Sequence, residues 1–355
     1  MLSSLKKLVT DSMAVDLGTA TTLIAVKGRG VVLDEPSLVA INERTEEIVA
    51  YGQEAADMSG REGRDITVIA PLSGGVVGDF ERTKKMLAHF VKKAKTGGSN
   101  IAISAIMSMV SDVTQVEQRA LHNAADDAGI GKVFMVEEGL AAAFGAGVLP
   151  TDKRASAIVD FGAGTTTIAV IAKGSVVHST SERFGSNAIT EGIATHLRRH
   201  RGLQVGVETT EQLKTSFVST YLPDDISRTI EVRGRDVQTG SPAAVEVTTG
   251  ELFPVVEGIV RRAAQLVKDT LTELRPEVAA DIYDRGVILT GGGALLDGIE
   301  PYMRNYINLA VTIADEPRLA VVNGLVKMFD DEKLLERVAR NEPNFLQNAE
   351  VTFEV

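Results

Sequence analysis

The 355-residue sequence predicts an α/β fold of two duplicated domains, and three observations support this. First, one stretch occurs twice in the same register, since residues 14–26 read AVDLGTATTLIAV and residues 158–170 read IVDFGAGTTTIAV. Second, each copy is followed by strand-like and helix-like segments in a similar plan. Third, a glycine-rich turn at residues 291–293 follows a strand-like run in the second half. Self-similarity on this scale indicates repeated units, here large enough to be domains.

Each copy of the repeat predicts two strands joined by a tight turn. An apolar run leads to an aspartate (Asp16 or Asp160), a glycine-containing turn, two threonines and a second apolar run. Glycine lets backbone N–H groups face outward, where they can bind phosphate oxygens, and the threonine hydroxyls add donors. An aspartate repels phosphate, so it is better placed on a metal ion or a metal-bound water. One copy would fit an ordinary hairpin, but two facing copies suit a cleft for a nucleoside triphosphate with a divalent ion.

The first half opens with a hairpin over residues 13–33, which is followed by a turn at residues 34–37. Further strands are predicted over residues 38–41, 48–51, 101–109 and 133–136, and helices over residues 53–59, 80–95, 115–128 and 140–147. Thr114 and Glu117 form a capping-box signature, and Gly129 is the expected stop of that helix. The helix over residues 140–147 is rich in small residues and is expected to cross between the domains.

The second half repeats the plan after its own hairpin. Helices are predicted over residues 188–199, 209–217 and 254–274, and strands over residues 229–232, 244–248 and 286–289. Pro254 suits the first position of a helix, and another helix is expected to start near Leu295. Domain I therefore comprises residues 1–141 plus 318–355 with an insert at about 34–75, and domain II comprises residues 142–317 with an insert at about 184–252.

The composition fits two globular domains of ordinary size, with 44% hydrophobic and 24% charged residues. A net charge of −11 argues against non-specific nucleic-acid binding, which needs a basic face. The absence of cysteine excludes a disulfide framework and a thiolate metal site, and it fits a reducing cytoplasm. No apolar run reaches the ~18 residues of a membrane span, and residues 1–10 lack the apolar core of a signal peptide.

The glycine-rich turn at residues 291–293 predicts a third wall of the nucleotide cleft. It follows a strand and precedes a helix, so the backbone can approach a ligand closely near a helix N-terminus that favours anions. The segments AVDLGTATT, IVDFGAGTT and DRGVILTGGGALLDGI, in this order, resemble the superfamily of actin, hexokinase and the heat-shock chaperone ATPases. Within it the chain is similar to the bacterial actin MreB family, through KGRGVVLDEPSLVAI, VEQRAL, VEEGLAAAFGAG, RRHRGLQVG, TTEQLK and GRD.

This resemblance covers nearly the whole chain and implies an actin-like fold. It implies an ATPase with ATP or ADP and Mg²⁺ as cofactors, which polymerises into filaments for cell shape or for organelle or membrane organisation. The implied cofactor-binding residues are Asp16, Gly18, Thr19, Ala20 and Thr21 in the first loop, Asp160, Gly162, Gly164 and Thr165 in the second, Gly185, and Gly291, Gly292, Gly293 and Ala294 by the adenosine, with Glu211 and Lys214 on its other side. Asp16 and Asp160 would hold Mg²⁺, mainly through water.

The same resemblance implies the catalytic groups. Glu138 stands where the family has its water-positioning glutamate, and Thr166 would lie near the γ-phosphate. Phosphoryl transfer to water is mainly positioning plus charge neutralisation by Mg²⁺, and a carboxylate one hydrogen bond away can orient the attacking water. Two alternatives stay open: Glu137 has this role instead, or Glu138 is only an acid that interacts with a helix dipole.

Several positions depart from the family pattern. Thr21 replaces a usual asparagine, and Gly139 replaces a usual proline, which loosens the turn that aims Glu138. Further departures are residues 107–111 in place of a Pro-Ser or Pro-Thr turn, residues 185–187 in place of Gly-Gly-Asp, and Thr215 and Ser216 where a ribose-binding glutamate often stands. The loop at residues 95–100 lacks the apolar tip that many relatives press into the membrane. These departures favour a specialised paralogue, such as an organelle-positioning actin, and leave the choice between ATP and GTP open.

Residues 1–9 carry Leu2, Leu5 and Leu8 at helical spacing, with Lys6 and Lys7 between them. They fit either a short helix in a membrane interface or a terminus that is frayed or packed on the body. One such anchor binds weakly, but a filament repeats it many times. The expected partners are further copies of the chain, with the cytoplasmic membrane surface and membrane-protein adaptors as additional candidates, and no nucleic acid.

Two other function classes share the predicted fold. A small-molecule kinase needs a second substrate pocket with a catalytic aspartate in the first domain, and the insert at residues 34–75 is small for that purpose. A heat-shock chaperone needs a peptide-binding domain after the ATPase, and the chain is expected to end too soon. The filament-forming ATPase is therefore the main prediction, with the kinase as its alternative.

Overall fold

Two five-stranded sheets of the same design form the frame of the molecule. The computed structural model describes residues 11–95, 103–220 and 227–339. Within these ranges the strands are β1 (Asp11–Leu17), β2 (Thr21–Val26), β3 (Gly30–Pro36), β4 (Val39–Asn42), β5 (Glu47–Tyr51), β6 (Ile66–Ile69), β7 (Leu72–Ser73), β8 (Val76–Val77), β9 (Ile103–Met109), β10 (Ile130–Glu137), β11 (Ser156–Phe161), β12 (Thr166–Ala172), β13 (Ser175–Glu182), β14 (Leu203–Gln204), β15 (Thr229–Asp236), β16 (Pro242–Thr248), β17 (Val287–Thr290) and β18 (Val311–Ile313).

The helices pack on the faces of these sheets. The α-helices of the described ranges are α1 (Gln53–Met58), α2 (Phe80–Ala94), α3 (Gln115–Asp127), α4 (Glu138–Gly145), α5 (Asn187–Arg201), α6 (Val207–Ser216), α7 (Thr249–Thr272), α8 (Pro276–Arg285), α9 (Ile299–Ile307), α10 (Ala320–Lys327) and α11 (Glu332–Val338). Short 3₁₀ helices cover Gly292–Leu295, Pro317–Leu319 and Met328–Asp330.

The two main sheets repeat one strand order. The first is β10-β9-β1-β2-β3 and the second is β13-β12-β11-β17-β18. In the first sheet β1 pairs with β2 antiparallel and with β9 parallel. In the second sheet β11 pairs with β12 antiparallel and with β17 parallel, so each hairpin occupies the equivalent place. The duplication in the sequence is therefore a duplication of sheet topology.

Two smaller sheets lie within the segments predicted as inserts. The sheet β5-β4-β6, with α1 beside it, falls within residues 34–75, and the sheet β14-β15-β16 falls within residues 184–252. Each small sheet belongs to a different half of the chain. The two halves contact each other at these inserts, where Arg61 and Glu208 form an ion pair of 3.3 Å.

Apolar side chains on one face of each helix build the cores. In α2 these are Met86, Leu87, Phe90 and Val91, which pack with the first sheet. In α7 they are Val256, Val260, Ala263 and Val267, which pack with the second sheet. A third core lies around α4 and α10, where the chain passes between the sheets. There Gly145 and Gly324 pack so closely that a Cβ on either would overlap the carbonyl of Ala320 or Ala141.

The predicted capping box at the start of α3 is confirmed. Thr114 Oγ1 accepts from the Glu117 N–H at 3.2 Å, and the Glu117 carboxylate accepts from the Thr114 N–H at 2.8 Å. Gly129 follows the helix with a φ of 85°, which suits glycine at this stop. Local sequence chemistry therefore determines both ends of this helix.

Three boundaries differ from the predictions. The expected turn at residues 34–37 is wrong, because β3 continues to Pro36 and pairs with β2 as far as Thr21. The expected helix start near Leu295 is wrong as well, because a 3₁₀ turn occupies Gly292–Leu295 and α9 begins only at Ile299. Helix α7 begins at Thr249, so Pro254 lies inside it and not at its first position.

The early start of α7 has a local cause in a network around Glu251. Thr248 Oγ1 accepts from the Glu251 N–H at 3.0 Å and caps the helix. The Glu251 carboxylate accepts hydrogen bonds from Arg201 and pairs with His196, and these partners hold the pKa of Glu251 well below its usual range, at about 2. His196 and Arg201, in the last turns of α5, thus have a structural partner in Glu251.

In the part of the chain that the structure describes, no helix is long and apolar enough to cross a membrane. The predicted membrane anchor at residues 1–9, the tail at residues 341–355 and most of the loop at residues 95–100 lie outside the described residues.

Candidate functional site

A cavity of about 490 Å³ lies between the two main sheets, at the turns of both repeated hairpins. The first turn joins β1 to β2, and the second joins β11 to β12. Both turns close with the same bond, from Gly18 N to Thr21 O at 3.1 Å and from Gly162 N to Thr165 O at 2.9 Å. The cavity is of the size and enclosure expected for a small-molecule or cofactor site.

Glycine is required in the first turn because the backbone there folds tightly on itself. A Cβ on Gly18 would lie 2.7 Å from the carbonyl oxygen of Thr21. A third backbone segment, at Gly75, joins the two turns: its N–H donates to Thr19 Oγ1 at 3.0 Å, and a Cβ there would lie 2.9 Å from Thr165 Cγ2. The two turns and Gly75 therefore form one continuous wall of backbone and hydroxyl groups.

The two aspartates of the repeat occupy equivalent places with equivalent partners. Asp16 Oδ1 accepts from Ser108 Oγ at 2.7 Å, and Asp160 Oδ1 accepts from Thr290 Oγ1 at 2.8 Å. Ser108 lies on β9 and Thr290 on β17, which are the parallel neighbours of the two hairpins. The duplication therefore extends to the hydroxyl group that holds each aspartate.

Burial makes these two carboxylates hard to ionise. It raises the pKa of Asp16 from 3.8 to about 6, with the Ser108 hydrogen bond opposing the shift and the charge of Asp160 adding to it. Burial also raises the pKa of Asp160. A divalent cation bound nearby would relieve both effects, and carboxylate oxygens are the ligands that Mg²⁺ prefers. The described residues contain no cluster of three or more metal-ligating side chains, so the donor set fits a cation that completes its shell with phosphate and water.

Glu138 is the first residue of α4 and faces the cavity. Its Oε1 accepts from Thr167 Oγ1 at 2.5 Å. Burial raises its pKa well above 4.5, and the charges of Asp160 and Asp16 raise it further. Glu137 precedes the helix and is not among the residues that line the cavity. Of the two adjacent glutamates, Glu138 therefore lines the cavity and Glu137 does not.

The glycine-rich turn forms another wall of the cavity, next to the second hairpin, since a Cβ on Gly291 would lie 2.9 Å from Asp160 Oδ1. Gly291 has a φ of 82° and donates to Pro317 O at 2.8 Å, and a Cβ there would lie 2.5 Å from Phe161 O. Arg318 lines the cavity beside this turn and pairs with Asp34 of β3 in the other half of the chain. The turn is thus bound between the second hairpin and the returning chain.

Lys214 and Glu211 also line the cavity. They form an ion pair of 2.8 Å, and Glu211 also accepts from Thr190 Oγ1 at 2.8 Å. Lys214 is only 6% exposed, so its amino group is held at the cavity and not in solvent. The pair gives this wall one donor and one acceptor at fixed positions.

Most of the predicted cofactor residues and Glu138 meet at this cavity. Those that line it are Asp16, Gly18, Thr19, Ala20, Thr21, Glu138, Asp160, Gly162, Gly164, Thr165, Glu211, Lys214, Gly291, Gly292 and Gly293. Segments up to 277 residues apart in sequence therefore converge, from Asp16 to Gly293.

Three predicted residues do not line the cavity. Thr166 is fully buried and donates to Phe184 O at 2.8 Å, so its side chain points away from the expected place of the γ-phosphate. Gly185 packs behind the second turn, where a Cβ would lie 2.5 Å from Ala163 O. Ala294 is buried in the core of the second half. These positions support the cavity wall and do not form its surface.

Sequence reasoning missed several lining residues, which are Leu23, Gly75, Ser108, Met109, Val110, Ser186, Asn187, Leu295, Leu296, Pro317, Arg318 and Val321. The consecutive glycines Gly74 and Gly75 are a usable signal in the sequence, because glycine favours backbone of positive φ, which both residues have in the structure. Ser108 lies within residues 107–111, which depart from the family pattern, and no motif marks it as a lining residue. Arg318 gave no signal, because its approach to the cavity depends on the path of the returning chain.

Comparison with known proteins gives consistent matches. The family model described as MreB/Mbl protein matches residues 10–337. The cell shape-determining protein MreB of Escherichia coli (strain K12) is 37% identical over 329 residues, which cover 91% of this chain and 94% of that protein. The cell shape-determining protein Mbl of Bacillus subtilis (strain 168) is 38% identical over 326 residues, which cover 92% and 98%.

Solved structures of other proteins also match the fold of this chain. MreB5 of Spiroplasma citri bound to AMPPNP has a TM-score of 0.85 and 32% identity, over 92% of this chain and 97% of that one. The chain in a MamK double helical filament has a TM-score of 0.72 at 21% identity, over 91% of this chain and 99% of that one, a likeness of fold alone.

Proposed function

Because this chain belongs to the MreB/Mbl protein family and has its actin-like fold, we propose that it binds and hydrolyses ATP and polymerises into cytoskeletal filaments. The chain is a bacterial actin by family, and its relatives in Escherichia coli and Bacillus subtilis are named as cell shape-determining proteins. The kinase alternative is not favoured, since those relatives match more than nine-tenths of the chain.

One observation carries the proposal: both repeated turns and the glycine-rich turn face the same cavity. The N–H groups and hydroxyls of the two turns suit a chain of phosphates, which they would bind from both sides. The glycine-rich turn and the Glu211–Lys214 pair would bind the adenosine. The solved relative bound to AMPPNP supports a nucleoside triphosphate as the ligand.

Asp16 and Asp160 would hold Mg²⁺ between the two turns. The cation would neutralise charge on the transferring phosphoryl group when bound. On the protein side, both carboxylates lie in a buried wall and are held by Ser108 and Thr290 at one oxygen each. This leaves their outer oxygens for the cation or for its water ligands.

Glu138 would orient the attacking water. Within the described chain only Oε1 of Glu138 is hydrogen-bonded, to Thr167, so Oε2 can accept from a water in the cavity. The neighbouring charges that raise its pKa would be balanced by a bound cation, which favours the ionised form needed for this role. Thr165, which lines the cavity, would lie beside the terminal phosphate in place of Thr166.

Assembly would depend on closure of the cleft. Both turns can contact one phosphate chain only when the two sheets are close, and a ligand shifts such an equilibrium through its better contacts with the closed form. Closed subunits would then join head to tail, and contacts of that kind generate filaments when they do not close into a ring. The filaments would act in the cytoplasm, in cell shape or in organelle or membrane organisation, with residues 1–9 and membrane-protein adaptors as the proposed links to a membrane.

The proposal is tested by sedimentation and negative-stain microscopy with ATP and Mg²⁺, with ADP and Mg²⁺, and without nucleotide. Phosphate release is followed in parallel over a range of protein concentrations. Filaments with ATP, and hydrolysis that rises steeply with protein concentration, are the expected results. A monomer at high concentration with ATP and Mg²⁺ would refute the filament, and release that requires a small-molecule acceptor would favour the kinase.

A further inference from the structure

The carboxylate of Glu138 is held by a hydroxyl that comes from the opposite sheet. Glu138 follows β10 of the first sheet, whereas Thr167 lies on β12 of the second. Thr167 is 1% exposed, and its Oγ1 donates to Glu138 Oε1 at 2.5 Å. A buried donor at this distance restricts the carboxylate to one orientation, because a charge-assisted hydrogen bond is short and directional.

The orientation of Thr167 is fixed in turn by Ser181. Thr167 Oγ1 lies 2.8 Å from Ser181 Oγ, and the two residues are direct partners in the β12–β13 ladder. A hydroxyl has one proton, and Thr167 gives its proton to Glu138, so Ser181 must be the donor in the second bond. The backbone N–H of Ser181 donates to Asp112 Oδ2 at 3.2 Å. Ser181 therefore donates to Thr167, and Thr167 donates to the Glu138 carboxylate, which faces the cavity.

Gly139 allows this chain to form. A Cβ on Gly139 would lie 2.5 Å from the Cβ of Ala169, two residues beyond Thr167 on the same face of β12. Helix α4 therefore begins in direct contact with β12, and this contact brings Glu138 within reach of Thr167. A larger residue at position 139 would separate the two. The orientation of the Glu138 side chain thus depends on contact with β12 of the second sheet and not on a rigid turn at the start of α4.

We propose that Thr167 is a positioning residue for hydrolysis, which the second domain supplies to the glutamate of the first. Thr167 does not line the cavity, so it acts through Glu138 and does not touch the nucleotide. Because its bond to Glu138 joins the two sheets, any movement that separates them breaks the bond and releases the carboxylate. Hydrolysis is therefore active only in the closed molecule. This inference rests on the proposed role of Glu138 in ATP hydrolysis.

The test compares Thr167→Val, which keeps the branched shape and removes the hydroxyl, with Thr167→Ser, which keeps the hydroxyl. Phosphate release at saturating ATP, ATP affinity and the unfolding temperature are measured for each. Thr167→Val is expected to lower kcat about tenfold or more while ATP affinity stays within about twofold, since the lost bond matters only in the transition state. Thr167→Ser is expected to recover most of the rate.

Two further variants show where the effect acts. Thr270→Val removes another buried hydroxyl, which donates to Leu266 O within α7, and is expected to leave kcat unchanged. In a Glu138→Ala background, Thr167→Val is expected to cause no further loss, because two residues that act as a unit are not additive. A full additional loss in that background would overturn the inference.

The remaining outcomes separate the two proposals. If the unmodified chain does not hydrolyse ATP, the proposed function fails and the positioning role fails with it. If the unmodified chain hydrolyses ATP and Thr167→Val retains its kcat, only the positioning role is wrong. If Thr167→Val and Thr167→Ser lower both the hydrolysis rate and the unfolding temperature to the same extent, then Thr167 has only a structural role. This outcome also overturns the inference.

Discussion

Gly164 of the second turn packs directly on Thr19 of the first. A Cβ on Gly164 would lie 2.5 Å from Thr19 Oγ1 and 2.8 Å from Thr19 Cβ. The two repeated turns therefore touch across the cleft, and the contact depends on the missing side chain. Because the two turns are already in contact here, we expect this contact to limit how far the cleft can close.

Replacement of Gly164 by alanine is expected to keep the cleft partly open. Overpacking of a close contact costs about 1–3 kcal/mol, which would weaken ATP binding by about five- to 150-fold. Calorimetric or fluorescence titration with ATP and Mg²⁺ measures this. Gly258→Ala is the matched control, because a Cβ there meets no atom within 4 Å, and its affinity should be unchanged. Equal affinity in both variants would show that the turns need not touch.

Glu138→Gln is expected to slow ATP hydrolysis by about 10²-fold, which is the scale of a positioned acid or base. Nucleotide binding and filament formation should persist, because the phosphate-binding turns are intact. Glu137→Gln is the control, and single-turnover phosphate release distinguishes the two. If the Glu137 variant hydrolyses ATP slowly and the Glu138 variant hydrolyses it at the normal rate, then Glu137 orients the water and the assignment to Glu138 is wrong.

Asp160→Asn is expected to abolish Mg²⁺-dependent hydrolysis, with a loss of about 10²-fold or more. The asparagine keeps the oxygen that accepts from Thr290 Oγ1, so the fold should be retained. Turnover is measured over a range of Mg²⁺ concentrations. Asp269→Asn, an exposed position on α7, removes the same charge and should have no effect. Unchanged turnover in the Asp160 variant would refute the metal assignment.

The nucleotide-free protein is expected to lose stability as the pH rises from the unfolded-state pKa to the folded-state pKa of the buried Asp16. The pKa of Asp16 is raised from 3.8 to about 6, so the folded state binds more protons than the unfolded state between these values. The free energy of unfolding therefore falls with rising pH across this window, by up to about 3 kcal/mol. Asp16→Asn should unfold at a higher temperature than the unmodified chain at pH 7.5, and the difference should vanish near pH 4. No difference at pH 7.5 would show that the buried charge is not costly.

Deletion of residues 1–9 is expected to reduce co-sedimentation with anionic liposomes in the presence of ATP and Mg²⁺. A single anchor of this kind binds weakly, but filaments present many. A full-length chain with Leu2, Leu5 and Leu8 replaced by serine controls for length and should behave like the deletion. Equal liposome binding by all three chains would exclude the anchor without affecting the filament proposal.

The sequence predicted the repeated hairpins and the capped helix α3 because both depend on local chemistry. The aspartate, glycine and threonine of each turn lie within a few residues of one another, and Thr114 and Glu117 are three residues apart. The start of α7 could have been found in the same way, since Thr248 and Glu251 show the same signature. Pro254 also suits a first helical position, and it indicated a start five residues after the true first residue, Thr249.

The direction of each side chain at the site could not be read in this way. Thr165, Thr166 and Thr167 are consecutive, yet one lines the cavity, one bonds to Phe184 and one bonds to Glu138. The last two share a strand, where neighbouring side chains point to opposite faces, so a shift of one residue exchanges their environments. Contacts between distant segments, such as Arg318 with Asp34, depend on tertiary packing that no local pattern encodes.

Helices α4 and α10 cross at Gly145 and Gly324 so closely that no space is left for an added side chain. Because no free space is available at this contact, a change in the angle between the two helices would be passed on to the sheets that they contact. In a polymer of this chain, any angle set at that crossing is repeated at each subunit and adds up along the axis. A methyl group at either glycine would overlap a backbone carbonyl, so it would destabilise the subunit and also change an angle that every subunit of a filament repeats.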